Sequence, residues 1–280
     1  MRRQAAANIV KAWLLVITLA TPFGALGYAL GETATASLFV FCALLAAAAV
    51  YAYGDRALLG MLGAREYALA EDPLLRSTVD RLAAKVGVFP PKLYVIADGF
   101  PRTFVVGRGP RGSSLAVSTG LLGALSAGEL EAVLAHELAH VRSRDVLVQT
   151  FGVLLAVVLV DLSRIGGWFE RALRSILAPV GAAFVHALLS PKREFAADRL
   201  AVELCGAPEE LGFALVRLDA ASDLVSFAAH PATEPLYTTN PFAEEGLAGL
   251  FVTHPPLEQR LARLRASERT KEGRFRGPRS

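Results

Sequence analysis

Four stretches of the chain are almost purely apolar, 12–30, 35–53, 146–162 and 172–189, and helical or strand periodicity governs the segments between them. The first, Ala12 to Leu30, follows Arg2, Arg3 and Lys11. As a helix rising about 1.5 Å per residue it is long enough to cross the roughly 30 Å hydrocarbon layer of a bilayer. The second, Thr35 to Tyr53, begins after only a short Gly31-Glu32 turn, which predicts a transmembrane hairpin over 1–54 rather than a cleaved leader. Arg2, Arg3 and Lys11 precede the hairpin, Arg56, Arg65, Arg76, Arg81 and Lys85 follow it, and Glu32 lies at its tip. By the positive-inside rule both ends of the hairpin are cytoplasmic. Val146 to Leu162 is short for a span, and Ala172 to Leu189 contains Arg174, Pro179 and His186, so 146–190 reads as a second apolar hairpin that either spans or re-enters the membrane.

The segment 55–145 has the pattern of a water-exposed domain. Leu74, Leu75, Val79, Leu82, Ala83 and Val86 fall on one helical face, which stops at Gly87 and Pro90. Strands are predicted at Lys92 to Ile96, Phe104 to Val106 and Leu115 to Ser118, the last two forming a ribbon around the turn-rich 107–112. Ser126 and Glu129 are spaced as a capping box and open a helix running through His136. After Pro191 the chain is again helical, over Arg193 to Leu204 and Pro208 to Ala220, in a second polar part, 191–265. Asn240-Pro241-Phe242 reads as a loop, and the basic residues 266–280 as a flexible, solvated tail. The expected fold is a mainly α integral membrane protein with a small β-sheet and about four apolar helices.

Composition agrees. Of 280 residues, 53% are hydrophobic and 20% charged, too apolar for an ordinary soluble domain of this size. The 29 basic and 26 acidic residues nearly cancel and the basic ones are not clustered, which argues against a nucleic-acid partner. Cys42 and Cys205 are too few and too far apart for a disulfide framework or a Cys-based metal cluster. Any metal is therefore held by His and carboxylates.

His136-Glu137-Leu138-Ala139-His140 supplies the first two. Residues i and i+4 lie on one helical face about a turn apart, so both imidazoles can reach one ion, with Glu137 beside it as a general base for water. A catalytic zinc takes three protein ligands. The extended three-histidine motif needs Gly at 143 and His at 146, where this chain has Ser143 and Val146. Glu194, on the stretch Arg193 to Asp198, is the candidate third ligand, and Asp198, four residues on, can orient a ligand histidine. On spacing alone the same carboxylates fit equally well a solvated acidic face paired with Arg193 or Arg199.

The chain resembles the HtpX-type membrane zinc metallopeptidases, relatives of the CAAX prenyl endopeptidases. The matching features are the amino-terminal hairpin, Ala116 to Leu122, His136 to His140, Ser190 to Asp198 and His254-Pro255-Pro256-Leu257-Glu258-Gln259-Arg260, in the family's order. The resemblance implies one zinc per chain held by His136, His140 and Glu194, with Asp198 behind them. It also implies cleavage of misfolded or damaged membrane proteins from an active site on the cytoplasmic face of a prokaryotic inner membrane. Where the family usually has Asn-Ala-Phe, this chain has Arg102-Thr103-Phe104, which bears on substrate preference. Phe104, Val105 and Val106 are read either as an exposed edge that receives an extended peptide or as an ordinary sheet edge. His254 and Arg260 are candidates for stabilising the transition state, for pairing with Asp198, or for a structural role. His186 either borders a substrate route or is buried against a neighbouring helix.

Overall fold

The computed structural model describes residues 2–67, 72–224, 230–239 and 248–275. Helix α1, Arg2–Met61, is broken at Gly31 and Glu32, which leave helical geometry, Glu32 with a φ of 61°. Its two arms fold back on each other. A Cβ on Gly27 would lie 2.8 Å from the Ala36 Cα, so glycine lets the arms meet backbone to backbone. The hairpin is followed by β1 (Ala64–Glu66), α2 (Pro73–Val86), β2 (Lys92–Ile96), β3 (Thr103–Gly109), β4 (Gly112–Ser118) and the short α3 (Thr119–Ala124). Asp72 caps α2 by accepting from the Leu74 and Leu75 amides, and Gly87 ends it at a φ of 79°, the stop expected from the sequence.

The strands form one sheet in the order β1-β2-β4-β3, with β2 and β4 parallel and the other pairs antiparallel. The three-residue β1 has no sequence signature of its own. Alternate residues of β3 and β4 enter two different cores, because both faces of the sheet are covered. Val105, Leu115 and Val117 pack with α2, α4 (Ala127–Ser143), α7 (Lys192–Cys205) and α8 (Pro208–Leu224). Phe104, Val106 and Ala116 pack with α1, α5 (Asp145–Leu162), α6 (Glu170–Leu188) and the short 3-10 turn Pro231–Leu236. The sheet thus joins the polar helices on one side to the apolar ones on the other. Strand β3 is an edge, but Phe104, Val105 and Val106 are buried, and the Gly107 amide is taken by the Thr150 hydroxyl at 3.1 Å. The expectation of an exposed edge is corrected accordingly.

The four apolar stretches fall on the two arms of α1, on α5 and on α6. Among the described residues two helices, Gln4–Met61 and Asp145–Leu162, are long and apolar enough to cross a membrane. A third span is counted if Gly167–Leu188 and Lys192–Cys205, bent by 46°, are taken together. Helix α7 carries Lys192, Arg193, Glu194, Asp198 and Arg199, more charge than an apolar span tolerates. Helix α6 meets α5 through small residues, Ala178, Gly181 and Ala182, as helices do where no water drives them together. His186 on α6 is exposed and pairs with the Leu250 carbonyl at 2.9 Å, so it is not the buried group expected. Helix α9 runs from Leu257 to Phe275, so the basic segment expected as a flexible tail from 266 is helical as far as Phe275. The loop expected at 240–242 lies outside the described residues.

Candidate active site

Helix α4 carries the His-Glu pattern and is buried on all sides through Ala132, Val133, Leu134, Ala135, Leu138, Ala139 and Val141. Its start is fixed by the capping box, Ser126 to the Glu129 amide and Glu129 back to the Ser126 amide. Its end is a sharp reversal at Arg144, which holds a left-handed φ of 61° and turns the chain directly into α5. That reversal brings Asp145 back against His140.

Across from α4, α7 presents Glu194. The Nε2 atoms of His136 and His140 are 3.2 Å apart, and Glu194 Oε2 lies 3.3 Å from the first and 3.6 Å from the second. Donors about 2.0 to 2.1 Å from a tetrahedral ion stand about 3.3 Å from one another, so these three atoms have the spacing of ion ligands. A second observation agrees: both carboxylate oxygens of Glu194 are buried and accept no hydrogen bond, although the Arg193 guanidinium stands 3.0 Å from Oε1. A buried carboxylate with no hydrogen-bond donor to accept from is costly unless positive charge answers it. His136, His140 and Glu194 form a group that could hold a metal ion.

Each histidine is fixed from behind. His136 Nδ1 lies 2.9 Å from Asp198 Oδ1, and His140 Nδ1 lies 3.1 Å from Asp145 Oδ2. Both rings turn Nδ1 to a carboxylate and Nε2 inward, the arrangement that favours a proton on Nδ1 and raises ligand basicity. Asp198 is gripped by Arg260, Nε to Oδ2 at 2.9 Å and Nη2 to Oδ1 at 2.6 Å, while Arg260 Nη1 donates to the Thr238 carbonyl at 2.6 Å. Burial pushes the Asp198 carboxyl up, but Arg260 and His136 outweigh it and hold the pKa at about 2. Burial likewise works to lower the His140 pKa, yet Glu194 and Asp145 raise it to about 10. Glu194 is held well below the ordinary value, its burial outweighed by His140, His254 and Arg193.

Glu137 is buried, and its Oε1 accepts from the Thr238 hydroxyl at 2.8 Å. The structure brings His254 to the same place: Nε2 is 3.8 Å from Glu194 Oε2, and Nδ1 is 3.0 Å from Glu234 Oε1. Glu234 is in turn held by the amide and hydroxyl of Thr253. Arg260 lies on Asp198, away from the three inward-facing donor atoms, which answers one of the alternatives left by the sequence. Arg193 reaches Gln149 and the Pro235 carbonyl as well as Glu194, whereas Arg199 pairs with Glu203 at the surface. Arg102 is buried against Asp98 at 2.8 Å, on the loop leading into β3. Sequence reasoning missed Asp145, Glu234, Thr238 and Gln149. Asp145 alone had a local signal, an acid at the mouth of an apolar helix five residues after His140.

The profile of Peptidase family M48 matches residues 69–268, a span that holds every residue of this cluster. The chain belongs to that family. It is 39% identical to a "Protease HtpX homolog" of Acidiphilium cryptum over 275 residues, 92% of this chain and 96% of the relative. It is 34% identical to a "Protease HtpX homolog" of Pelotomaculum thermopropionicum over 277 residues, 92% and 99% of the two chains. The crystal structure of S. mikatae Ste24p shares the fold, with a TM-score of 0.51 at 20% identity over 94% of this chain and 66% of that one. The HtpX-type resemblance drawn from the motifs stands, and the protein is a membrane-associated metallopeptidase.

Proposed function

We propose that the protein is a zinc-dependent endopeptidase of a prokaryotic inner membrane that cleaves membrane or misfolded proteins from the cytoplasmic side, in membrane protein quality control. The convergence of His136, His140 and Glu194 on one point beside Glu137 carries this reading. His136 and His140 offer Nε2 and Glu194 offers Oε2 to one zinc ion. When bound there, zinc supplies Lewis-acid polarisation of a carbonyl and brings the pKa of a water it holds from about 15.7 to about 7. Glu137 takes a proton from the attacking water and later returns it to the leaving amine. His254, oriented by Glu234, donates a hydrogen bond to the oxyanion that develops on the substrate carbonyl. Asp198 keeps His136 in the Nδ1-protonated form, and Arg260 keeps Asp198 ionised.

The location rests on the hairpin charge pattern and on Lys11, whose Nζ reaches the Leu188 carbonyl at 2.8 Å, so that the basic end of α1 lies beside the catalytic helices. No site for nucleic acid is expected. The test compares wild type in detergent with Glu137→Gln and Glu194→Ala, measuring zinc per chain and cleavage of casein and of an unfolded membrane protein. Glu137→Gln keeps one zinc and loses cleavage; Glu194→Ala loses both. Cleavage by Glu137→Gln, or a wild type without metal, would overturn the proposal.

A further inference from the structure

His140 is held from behind by Asp145, and Asp145 is itself held from outside the peptidase domain. Its Oδ1 accepts from Asn8 Nδ2 at 2.6 Å, and Gln4 Nε2 stands 3.3 Å from Oδ1 and 3.4 Å from Oδ2. Its Oδ2 accepts from the Ser143 hydroxyl at 2.6 Å and faces His140 Nδ1 at 3.1 Å. Asn8 also donates to the Ser143 carbonyl at 3.0 Å. Asn8 and Gln4 belong to the first arm of α1, more than 130 residues away in sequence and outside the 69–268 match to the peptidase family.

Asn8 is buried, at 5% exposure, in a helix whose other residues are mostly apolar. Such an amide is expensive to bury unless it is answered, and here both of its partners lie at the α4–α5 reversal. A carboxylate that orients a ligand imidazole does so only as firmly as its own second oxygen is held. One Asp145 oxygen faces His140, and the other is pinned by Asn8.

We propose that Asn8 is a positioning residue of the metal site, acting on His140 through Asp145, so that the amino-terminal membrane helix completes the zinc site of the domain it anchors. The inference rests on His140 being a zinc ligand. It implies that the domain severed from the hairpin binds zinc more weakly even when it folds, and that a displacement of the first arm is felt at His140.

The experiment uses the full chain in detergent and measures the zinc dissociation constant by competition with a chromophoric chelator, alongside thermal unfolding of the metal-free protein. Asp145→Ala should weaken zinc about 10- to 100-fold, as loss of a carboxylate behind a ligand histidine does. Asn8→Ala should weaken it about three- to tenfold. Thr21→Ala, on the same arm but with its hydroxyl donating to the Ile17 carbonyl one turn back, should change nothing. In the Asp145→Ala background Asn8→Ala should add less than a twofold effect. Zinc affinity of Asn8→Ala within twofold of wild type would overturn the proposal, and so would an undiminished loss in the Asp145→Ala background, which would make Asn8 a packing residue. Where Asn8→Ala does not fold, Asn8→Ser, with a donor too short to reach, is held to the same thresholds. A wild type that binds no zinc would sink the peptidase reading instead, and is told apart by that result alone.

Discussion

Removing Arg260 tests the charge arrangement on which the site depends. Its guanidinium is 2% exposed and grips Asp198, itself 4% exposed, through two bonds of 2.9 and 2.6 Å. Arg260→Met keeps the apolar stem of the side chain but strands a carboxylate whose remaining close partner among the described residues is His136. Breaking a buried pair on one side costs about 3 to 5 kcal/mol, most of it the stranded charge. For a chain of this size that is a fall in Tm on the order of 10 °C. Thermal unfolding should be followed on metal-free protein in detergent, so that lost zinc does not enter the measurement. Asp198→Asn combined with Arg260→Met removes the stranded charge and should recover at least half of the loss. The pH dependence has a definite sign. Asp198 has a depressed pKa, about 2 against an ordinary 3.8, so its contribution is complete above pH 4 and is lost as pH falls through about 2. In Arg260→Met the loss of the guanidinium raises the Asp198 pKa, so the gap to wild type should narrow as pH falls, from the point where the stranded carboxyl takes a proton down to about 2. A Tm shift under about 3 °C, or a double variant that loses the sum of the single losses, would show that Arg260 does not hold Asp198 ionised.

Zinc affinity should rise with pH. With Nδ1 of each histidine turned to a carboxylate and the two Nε2 atoms 3.2 Å apart, the metal-free pair holds one shared proton, in keeping with a His140 pKa of about 10. Zinc must displace it, so affinity should increase about tenfold per pH unit between pH 6 and 9, with about one proton released in calorimetry across two buffers; an affinity independent of pH would contradict the arrangement. Gly120, at the start of the short helix Thr119–Ala124, has room for no Cβ, which would lie 2.1 Å from the Gly99 carbonyl oxygen. Gly120→Ala should cost about 1 to 3 kcal/mol, whereas Gly123→Ala in the same helix, with nothing within 4 Å, should be neutral or stabilising; equal Tm values would refute this.

The motif residues were legible because each is a local matter. His136 and His140 share a face by helical period, Glu194 and Asp198 by the same period, and Ser126 with Glu129 announces the helix that holds the first pair. Helix limits at Gly87 and at Ser126 were equally local. What sequence did not reveal is what reaches across the chain: Glu234 behind His254, Thr238 on Glu137, and the burial of β3, whose edge position was readable but whose cover, α5 and the turn at 231–236, was not. Arg144 illustrates why. No residue pattern marks an arginine for a left-handed φ, yet that single backbone angle turns Asp145 onto His140.

Polar side chains inside the apolar stretches carried more information than their number suggested. Asn8 lies just before the first apolar stretch, and Gln149 and Thr150 lie inside the third, where lipid would tolerate none of them unanswered. Each is answered at the site: Asn8 on Asp145, Gln149 on Arg193 and the Pro235 carbonyl, Thr150 on the Gly107 amide of β3. Such residues read as addresses, marking where an apolar helix must meet polar backbone or side chains rather than lipid. Read that way, α1 and α5 are not only anchors. Asn8 ties α1 to Asp145 behind His140, and Gln149 ties α5 to Arg193 beside Glu194.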